Sequence, residues 1–404
     1  MTFIRKCVAP LLVLSLLTPL HSASAFDPST ATSVFARLIK APELGNPSVS
    51  LIDASTGEVI FENSAYSERK PASVLKVLSA TATLKYLEPT QTFTTKAYRG
   101  IENSSIVIAG GLDPWISYKH TEAVKMKRTS LPRLALNAIA AINSDRTIPT
   151  RNIKLYYSDI YGSDLSALTS FLKGRGIRLV PTRVTRNEGL ALSGAEIFAS
   201  SSPTVAKILS FFLTWSDNTL ADRMAQLASL AAGNGRNEEG VATTFQEILG
   251  QMEIDPSKIV IKDGSGLSRQ NRVTSHLVAQ LLYKIHQDPV FSVIIDGLPV
   301  SGVTGTLKER YIESAPDAIG LVKAKTGTLN GTVSLAGYIE SGDREYIFVV
   351  IADKISRSYS ASEKARATLD KYLAKIASPL IIEEIPAIIE VELPIAESIS
   401  VTTI

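Results

Sequence analysis

Between Ser48 and Phe61 the apolar residues Val49, Leu51, Val59 and Phe61 alternate with other residues. Ser55-Thr56-Gly57 supplies a turn between them, so the pattern predicts a β-hairpin. Beyond Pro71 the period becomes helical: Val74, Leu75, Val77, Leu78, Leu84 and Leu87 recur at helix spacing, and Pro89 lies just past the end. From about 92 to 195 the runs are shorter. Strands are expected at Ser105 to Ala109 and Ile153 to Tyr157, with helical stretches at 131–143 and 164–173, which together read as an inserted α+β region. Helical periodicity returns at 203–213, 217–231, 241–252 and 274–287. Val333 to Ile339 and Tyr346 to Ile351 then form a second hairpin over Ser341-Gly342-Asp343, followed by a helix at 359–375. No internal repeat is visible.

The two ends of the chain do not fit this pattern. Arg5 and Lys6 precede an apolar run from Val8 to Leu20, and Ala23-Ser24-Ala25 follows the small-x-small rule for cleavage, so residues 1–25 read as a signal peptide. The run is short for a membrane span, an uncleaved anchor being the competing reading. Residues 376–404 contain five Glu, no Lys or Arg, and prolines at 379, 386 and 394. They read as edge strands or a disordered tail, not as a transmembrane helix.

Composition narrows the chemistry. The 404 residues carry 42 Lys and Arg against 39 Asp and Glu, a net charge of +3, and no basic stripe suggests a nucleic-acid partner. Cys7 is the single cysteine and lies in the cleaved segment, which removes disulfides, thiol catalysis and cysteine-metal sites from the mature chain. The remaining histidines, His120, His276 and His286, sit in no hydrolase elbow or metalloprotease helix. No metal or organic cofactor is expected.

A serine nucleophile without histidine needs another base, and a lysine serves when its pKa is lowered. Ser-x-x-Lys on a helix brings hydroxyl and amine onto one face. It occurs at Ser67/Lys70, Ser73/Lys76 and Ser170/Lys173. Lys70 precedes Pro71, which biases it away from helix. Ser170/Lys173 ends a short amphipathic segment at Gly174, where a solvated lysine is the ordinary filler. Ser73 opens an apolar helix, with Lys76 between Leu75 and Val77, where burial lowers the amine's pKa. Ser216-Asp217-Asn218 and Lys325-Thr326-Gly327 are the chain's single Ser-x-Asn and Lys-Thr-Gly. Singly these read as an N-cap and a turn into the strand at 333–339; in this order after Ser73-x-x-Lys76 they form a trio found in penicillin-binding proteins and class A β-lactamases.

The sequence resembles the D-alanyl-D-alanine carboxypeptidase/endopeptidase family, the low-molecular-mass class C penicillin-binding proteins. Beyond the trio, the resemblance is carried by Arg69 to Lys76, Ala109-Gly110-Gly111-Leu112-Asp113-Pro114 (with Leu112 in place of a usual glycine), Ser216 to Asp222, Asp263 to Arg269, Leu298 to Gly302 and Lys323 to Leu329. It covers roughly residues 30 to 375. It implies an α+β, transpeptidase-like catalytic domain at 26–91 and 196–375, with an antiparallel sheet between helices, interrupted by the inserted α+β domain at 92–195. Only about 140 residues separate Lys76 from Ser216, fewer than family members carry, so the insertion is expected to be shortened.

The resemblance also implies roles. Ser73 attacks the D-Ala-D-Ala carbonyl and Lys76 takes its proton. Ser216 relays a proton to the leaving amine, and Asn218 bonds Lys76 and the substrate amide. Lys325 provides positive charge for the terminal carboxylate, the hydroxyls of Thr326 and Thr328 bond it, and Gly327 keeps the strand edge clear for substrate. The backbone N–H groups of Ser73 and Thr328 form the oxyanion hole. Peptidoglycan stem peptides are the implied substrates and β-lactams the implied covalent inhibitors, in a secreted, extracytoplasmic protein with nothing to indicate membrane association after cleavage. Carboxypeptidase and endopeptidase activity use the same residues. The competing readings are a β-lactamase-like hydrolase and a non-catalytic cell-wall binding protein of the same fold.

Overall fold

The computed structural model describes residues 28–144 and 150–379; the expected signal peptide and most of the 376–404 segment lie outside them. Among the described residues ten strands form two sheets. β1 (Ser48–Asp53) and β2 (Val59–Asn63) make the first hairpin; β3 (Thr94–Gly100), β4 (Ser105–Ala109), β5 (Asn152–Ser158), β6 (Arg178–Arg183) and β7 (Ser193–Ser201) follow; β8 (Val322–Leu329), β9 (Thr332–Ser341) and β10 (Arg344–Ala352) come last.

The first sheet has the order β2-β1-β10-β9-β8 and is antiparallel throughout. Its strands alternate between two cores, as the period of two requires. Ile347, Val349 and Ile351 face helices Lys76–Tyr86, Val205–Trp215, Asn218–Ala231 and Ser275–Gln287, while Tyr346, Phe348 and Val350 face helices Pro28–Leu38 and Tyr359–Leu373. A sheet buried on both faces explains why these runs read as almost continuously apolar. β1 is buried at every position, including Ser48 and Ser50. Their hydroxyls are satisfied by Ser64 O, Glu62 Oε1 and Ser275 Oγ, so the serines mark a hydrogen-bonded seam and not an exposed face.

The second sheet, β6-β5-β4-β3-β7, is mixed: β4, β5 and β6 are parallel, and β3 runs antiparallel to β4 and β7. Helices Leu131–Asn143 and Gly162–Lys173 cover one face through Leu134, Ala138, Ile142, Leu168 and Leu172. β7 carries this sheet to Ser201, past the boundary expected at 195. β3, β6, β7 and β8 were absent from the pattern reading because charged, Thr and Ser residues obscure their alternation. The helix Pro28–Leu38 was likewise not anticipated. At Leu112 the backbone takes a φ of 54°, which accounts for the glycine of the related turn.

Two arginines join the second sheet's region to the helices of the first. Arg223, on helix Asn218–Ala231, donates from Nη2 to both carboxylate oxygens of the wholly buried Asp164 at 2.7 Å, and from Nη1 to the carbonyls of Pro114 and Ile116. Its guanidinium also lies over the Tyr161 ring, 4.2 Å from the centroid. Arg128 donates to Asp217 Oδ2 at 2.9 Å and lies over Trp115 and Phe211.

Candidate active site

Ser73 does not sit in the α-helix itself. It lies in a 3-10 turn, Ala72–Leu75, that leads into helix Lys76–Tyr86. The tighter turn eclipses residues three apart, and Lys76 Nζ reaches Ser73 Oγ at 2.7 Å. The same amine donates to Asn218 Oδ1 and to the carbonyl of Ser265, each at 2.7 Å, and Lys76 is wholly buried. Burial lowers its pKa to about 8, against the opposing charges of Asp222, Asp263 and Asp217. Three acceptors suit an ammonium. A neutral amine has two hydrogens and a lone pair, so with Asn218 and Ser265 fixed as acceptors the lone pair faces the Ser73 hydroxyl. That is the arrangement of a base beside its nucleophile.

The carbonyl of Ser265 is placed by a loop that the sequence marked only through its resemblance. Asp263 accepts from the backbone N–H groups of Ser265, Gly266 and Ser268 and from Asn271 Nδ2, and Asp222 accepts from Gly264 N at 2.7 Å. Gly266 has a φ of +82°, and a Cβ there would lie 1.8 Å from the Ala72 carbonyl oxygen. Only glycine lets the loop approach the Ser73 turn so closely. Ala72 itself holds a φ of 48°, an outlier next to Ser73.

Ser216 ends helix Val205–Trp215 in the left-handed region, φ 58°, and Asp217 caps the next helix by accepting from Leu220 N. This turn presents Ser216 and Asn218 to the same cavity as Ser73. Lys325 lies on β8, the edge strand. The Lys-Thr-Gly segment is therefore part of a strand, and not a turn leading to one. Lys325 Nζ donates to Ser216 Oγ at 2.9 Å and to the Thr326 carbonyl at 3.0 Å. It is wholly buried, and burial together with the Lys76 charge holds its pKa well below the ordinary lysine value. Thr326 Oγ1 pairs with Thr306 Oγ1 at 2.7 Å, and Thr328 Oγ1 accepts from Arg366 Nη2 at 3.0 Å.

The packing gives Gly327 a further steric reason. A Cβ there would lie 2.1 Å from Ser334 Oγ and 2.9 Å from the Pro71 carbonyl oxygen. The glycine lets β8 pack against the Ser73 turn, so that Thr328 and Ser73 line one cavity. All eight expected residues thus fall around one cavity of about 870 Å³ or directly behind it. The other Ser-x-x-Lys pairs are elsewhere: Ser170 and Lys173 are exposed on helix Gly162–Lys173, and Lys70 pairs with Asp353. Among the described residues no cluster of histidine and carboxylate side chains is placed to hold a metal.

The fold is transpeptidase-like, and the site sets a buried lysine amine against a serine hydroxyl. The chain belongs to the D-Ala-D-Ala carboxypeptidase 3 (S13) family, whose pattern matches residues 31–148 and 163–376. It is 27% identical over 392 residues to carboxypeptidase DacB of Mycolicibacterium smegmatis, covering 86% of this chain and 84% of that protein. Penicillin-binding protein 4 of Haemophilus influenzae superposes with a TM-score of 0.63 at 16% identity, over 86% of this chain and 98% of that one. That protein has also been solved complexed with a β-lactam. A predatory endopeptidase of Bdellovibrio bacteriovorus, in complex with an immunity protein, superposes with a TM-score of 0.55 at 17% identity, over 83% and 94% of the two chains. At these identities the structural likeness shows the fold.

Proposed function

We propose that the chain is a serine-type D-alanyl-D-alanine carboxypeptidase acting on peptidoglycan stem peptides. The family supports the reaction class. The observation that carries the assignment of residues is the buried Lys76 amine, 2.7 Å from Ser73 Oγ and bonded to Asn218. Neutral Lys76 takes the Ser73 proton as Oγ bonds to the carbonyl carbon of the penultimate D-alanine. The C–N bond breaks, and Ser216, held by Lys325, relays to the departing amine the proton that Lys76 took, which leaves Lys76 neutral again. Water then adds to the acyl-enzyme and restores Ser73. The N–H groups of Ser73 and Thr328 receive the developing oxyanion, the hydroxyls of Thr326 and Thr328 receive substrate, and Gly327 permits the close packing of strand and nucleophile. A β-lactam enters the same steps and stalls as the adduct.

The 92–195 region is read as a shortened inserted domain that braces the Ser216 turn through Arg128. Residues 1–25 are read as a signal peptide, which makes the protein extracytoplasmic. Among the described residues no helix is long and apolar enough to cross a membrane.

The test is D-alanine release from an acylated peptide ending in D-Ala-D-Ala, with and without prior treatment with penicillin. Release that penicillin blocks supports the reading. Fast penicillin hydrolysis without D-alanine release would favour the β-lactamase alternative, and neither activity the non-catalytic one. Cleavage of a cross-linked dimer would add endopeptidase activity, as in the Bdellovibrio neighbour.

The pH profile checks the base. With a Lys76 pKa of about 8, the neutral fraction rises about tenfold per pH unit below 8 and levels off above it. The rate of penicillin acylation follows that curve. A rate flat from pH 6 to 9 would remove Lys76 from the role.

A further inference from the structure

A carboxylate that enters the cavity needs a cation able to face it. Lys325 is wholly buried, and its amine is committed to Ser216 Oγ and the Thr326 carbonyl. Two arginines line the cavity wall, Arg310 and Arg366. Arg310 is held bidentately by the buried Asp370, Nε on Oδ2 at 3.1 Å and Nη2 on Oδ1 at 2.5 Å, so its charge is neutralised within the wall.

Arg366 differs in each respect. It projects from helix Tyr359–Leu373 across to the edge strand, and its Nη2 donates to Thr328 Oγ1 at 3.0 Å, one residue past Gly327. Its side chain keeps 26% of its surface exposed. Its partner Glu363 lies one turn back on the same helix and is 45% exposed. A single pair three residues apart on one helix, with Glu363 open to solvent, is a weak tie, so Glu363 gives way readily to a better-placed carboxylate. A guanidinium has five donors, so Arg366 can keep Thr328 and still grip two carboxylate oxygens.

We propose that Arg366 is the cation that binds the α-carboxylate of the leaving D-amino acid, gripping it together with the hydroxyls of Thr326 and Thr328. The assignment rests on the carboxypeptidase reading above. It applies equally whether that residue is a free terminal D-alanine or the D-configured centre of a cross-link, since both present the same group next to the scissile amide. Lys325 then orients and polarises Ser216 from behind, and Arg366 recognises substrate from in front.

The experiment compares an acylated D-Ala-D-Ala peptide bearing a free C-terminal carboxylate with the same peptide as its C-terminal amide. Wild-type protein is expected to prefer the acid in kcat/KM. Arg366→Met is expected to lower kcat/KM for the acid about 10- to 100-fold, the range of a charged hydrogen bond. The amide is left nearly unchanged, so the preference collapses. Arg366→Lys recovers part of it, and both variants melt within a few degrees of wild type. An equal loss on both substrates would show that Arg366 merely positions Thr328 and would overturn the assignment, as would no loss on either. Wild-type protein that cleaves neither peptide and takes no penicillin overturns the underlying reading, and the Arg366 assignment with it.

Discussion

Ser73→Ala will form no adduct with a fluorescent penicillin, and its peptidase rate will fall about 10⁴- to 10⁶-fold, the scale seen when a serine nucleophile is removed from a hydrolase. The loss is chemical and not structural. Ser73 Oγ is bonded to Lys76 Nζ, and that amine keeps Asn218 and the Ser265 carbonyl when the hydroxyl goes. Two acceptors suffice for the two hydrogens of a neutral amine, so thermal stability is expected to stay within about 1 kcal/mol of wild type. Ser170→Ala, on an exposed helix face, is expected to label and turn over normally. Mass spectrometry of the labelled proteins decides the matter. An adduct that survives in Ser73→Ala, or vanishes in Ser170→Ala, would move the nucleophile elsewhere.

The largest effect on stability is expected at Arg223. Replacing it with alanine strands the Asp164 carboxylate, which has no exposed surface and has Arg223 as its ion-pair partner. Breaking a buried ion pair by removing one member costs about 3–5 kcal/mol. The Pro114 and Ile116 carbonyls also lose their donor. The sign with pH follows from Asp164, whose pKa is raised by burial and held down by Arg223. Without the arginine it rises further, so the folded state binds a proton that the unfolded state releases. The deficit is therefore greatest near neutral pH and shrinks as the solution is acidified. Scanning calorimetry across pH checks this, and Arg223→Met with Asp164→Leu should recover most of the loss, because neither charge is then stranded. A single variant within 1 kcal/mol of wild type would mean that the pair does not hold the two regions together. Since helix Asn218–Ala231 begins with a site residue, the single variant should also acylate more slowly.

Much of the site was legible in the chain. Pro71 disqualified Ser67/Lys70 because it removes Lys70 from the helix, and in the structure Lys70 is an ion-pair partner of Asp353. Apolar neighbours marked Lys76 as buried, and the helix periodicities at 203–213, 217–231 and 274–287 fall on helices Val205–Trp215, Asn218–Ala231 and Ser275–Gln287. The strand character of Val322–Leu329 escaped because its two lysines and two threonines break the apolar alternation. Lys325 is buried without being apolar in type. Asp263 was marked only through the resemblance of its segment, since the backbone N–H groups and the Ser265 carbonyl that it fixes are set by the folded loop.

Local signals are carried by neighbours in the chain, so the sequence alone determined the order of motifs and the helix that follows Ser73. Contacts between distant residues depend on how the layers pack, and no local pattern encodes them. Lys76 meets Ser265 across 189 positions, and Lys325 meets Ser216 across 109. Only the tertiary structure turned Lys325 inward, set Gly327 against Pro71, and brought Arg366 from the last helix to face the cavity. Those three placements are consequences of an edge strand packed between the Ser73 turn and a helix, a geometry that exists only once both layers have closed on the sheet.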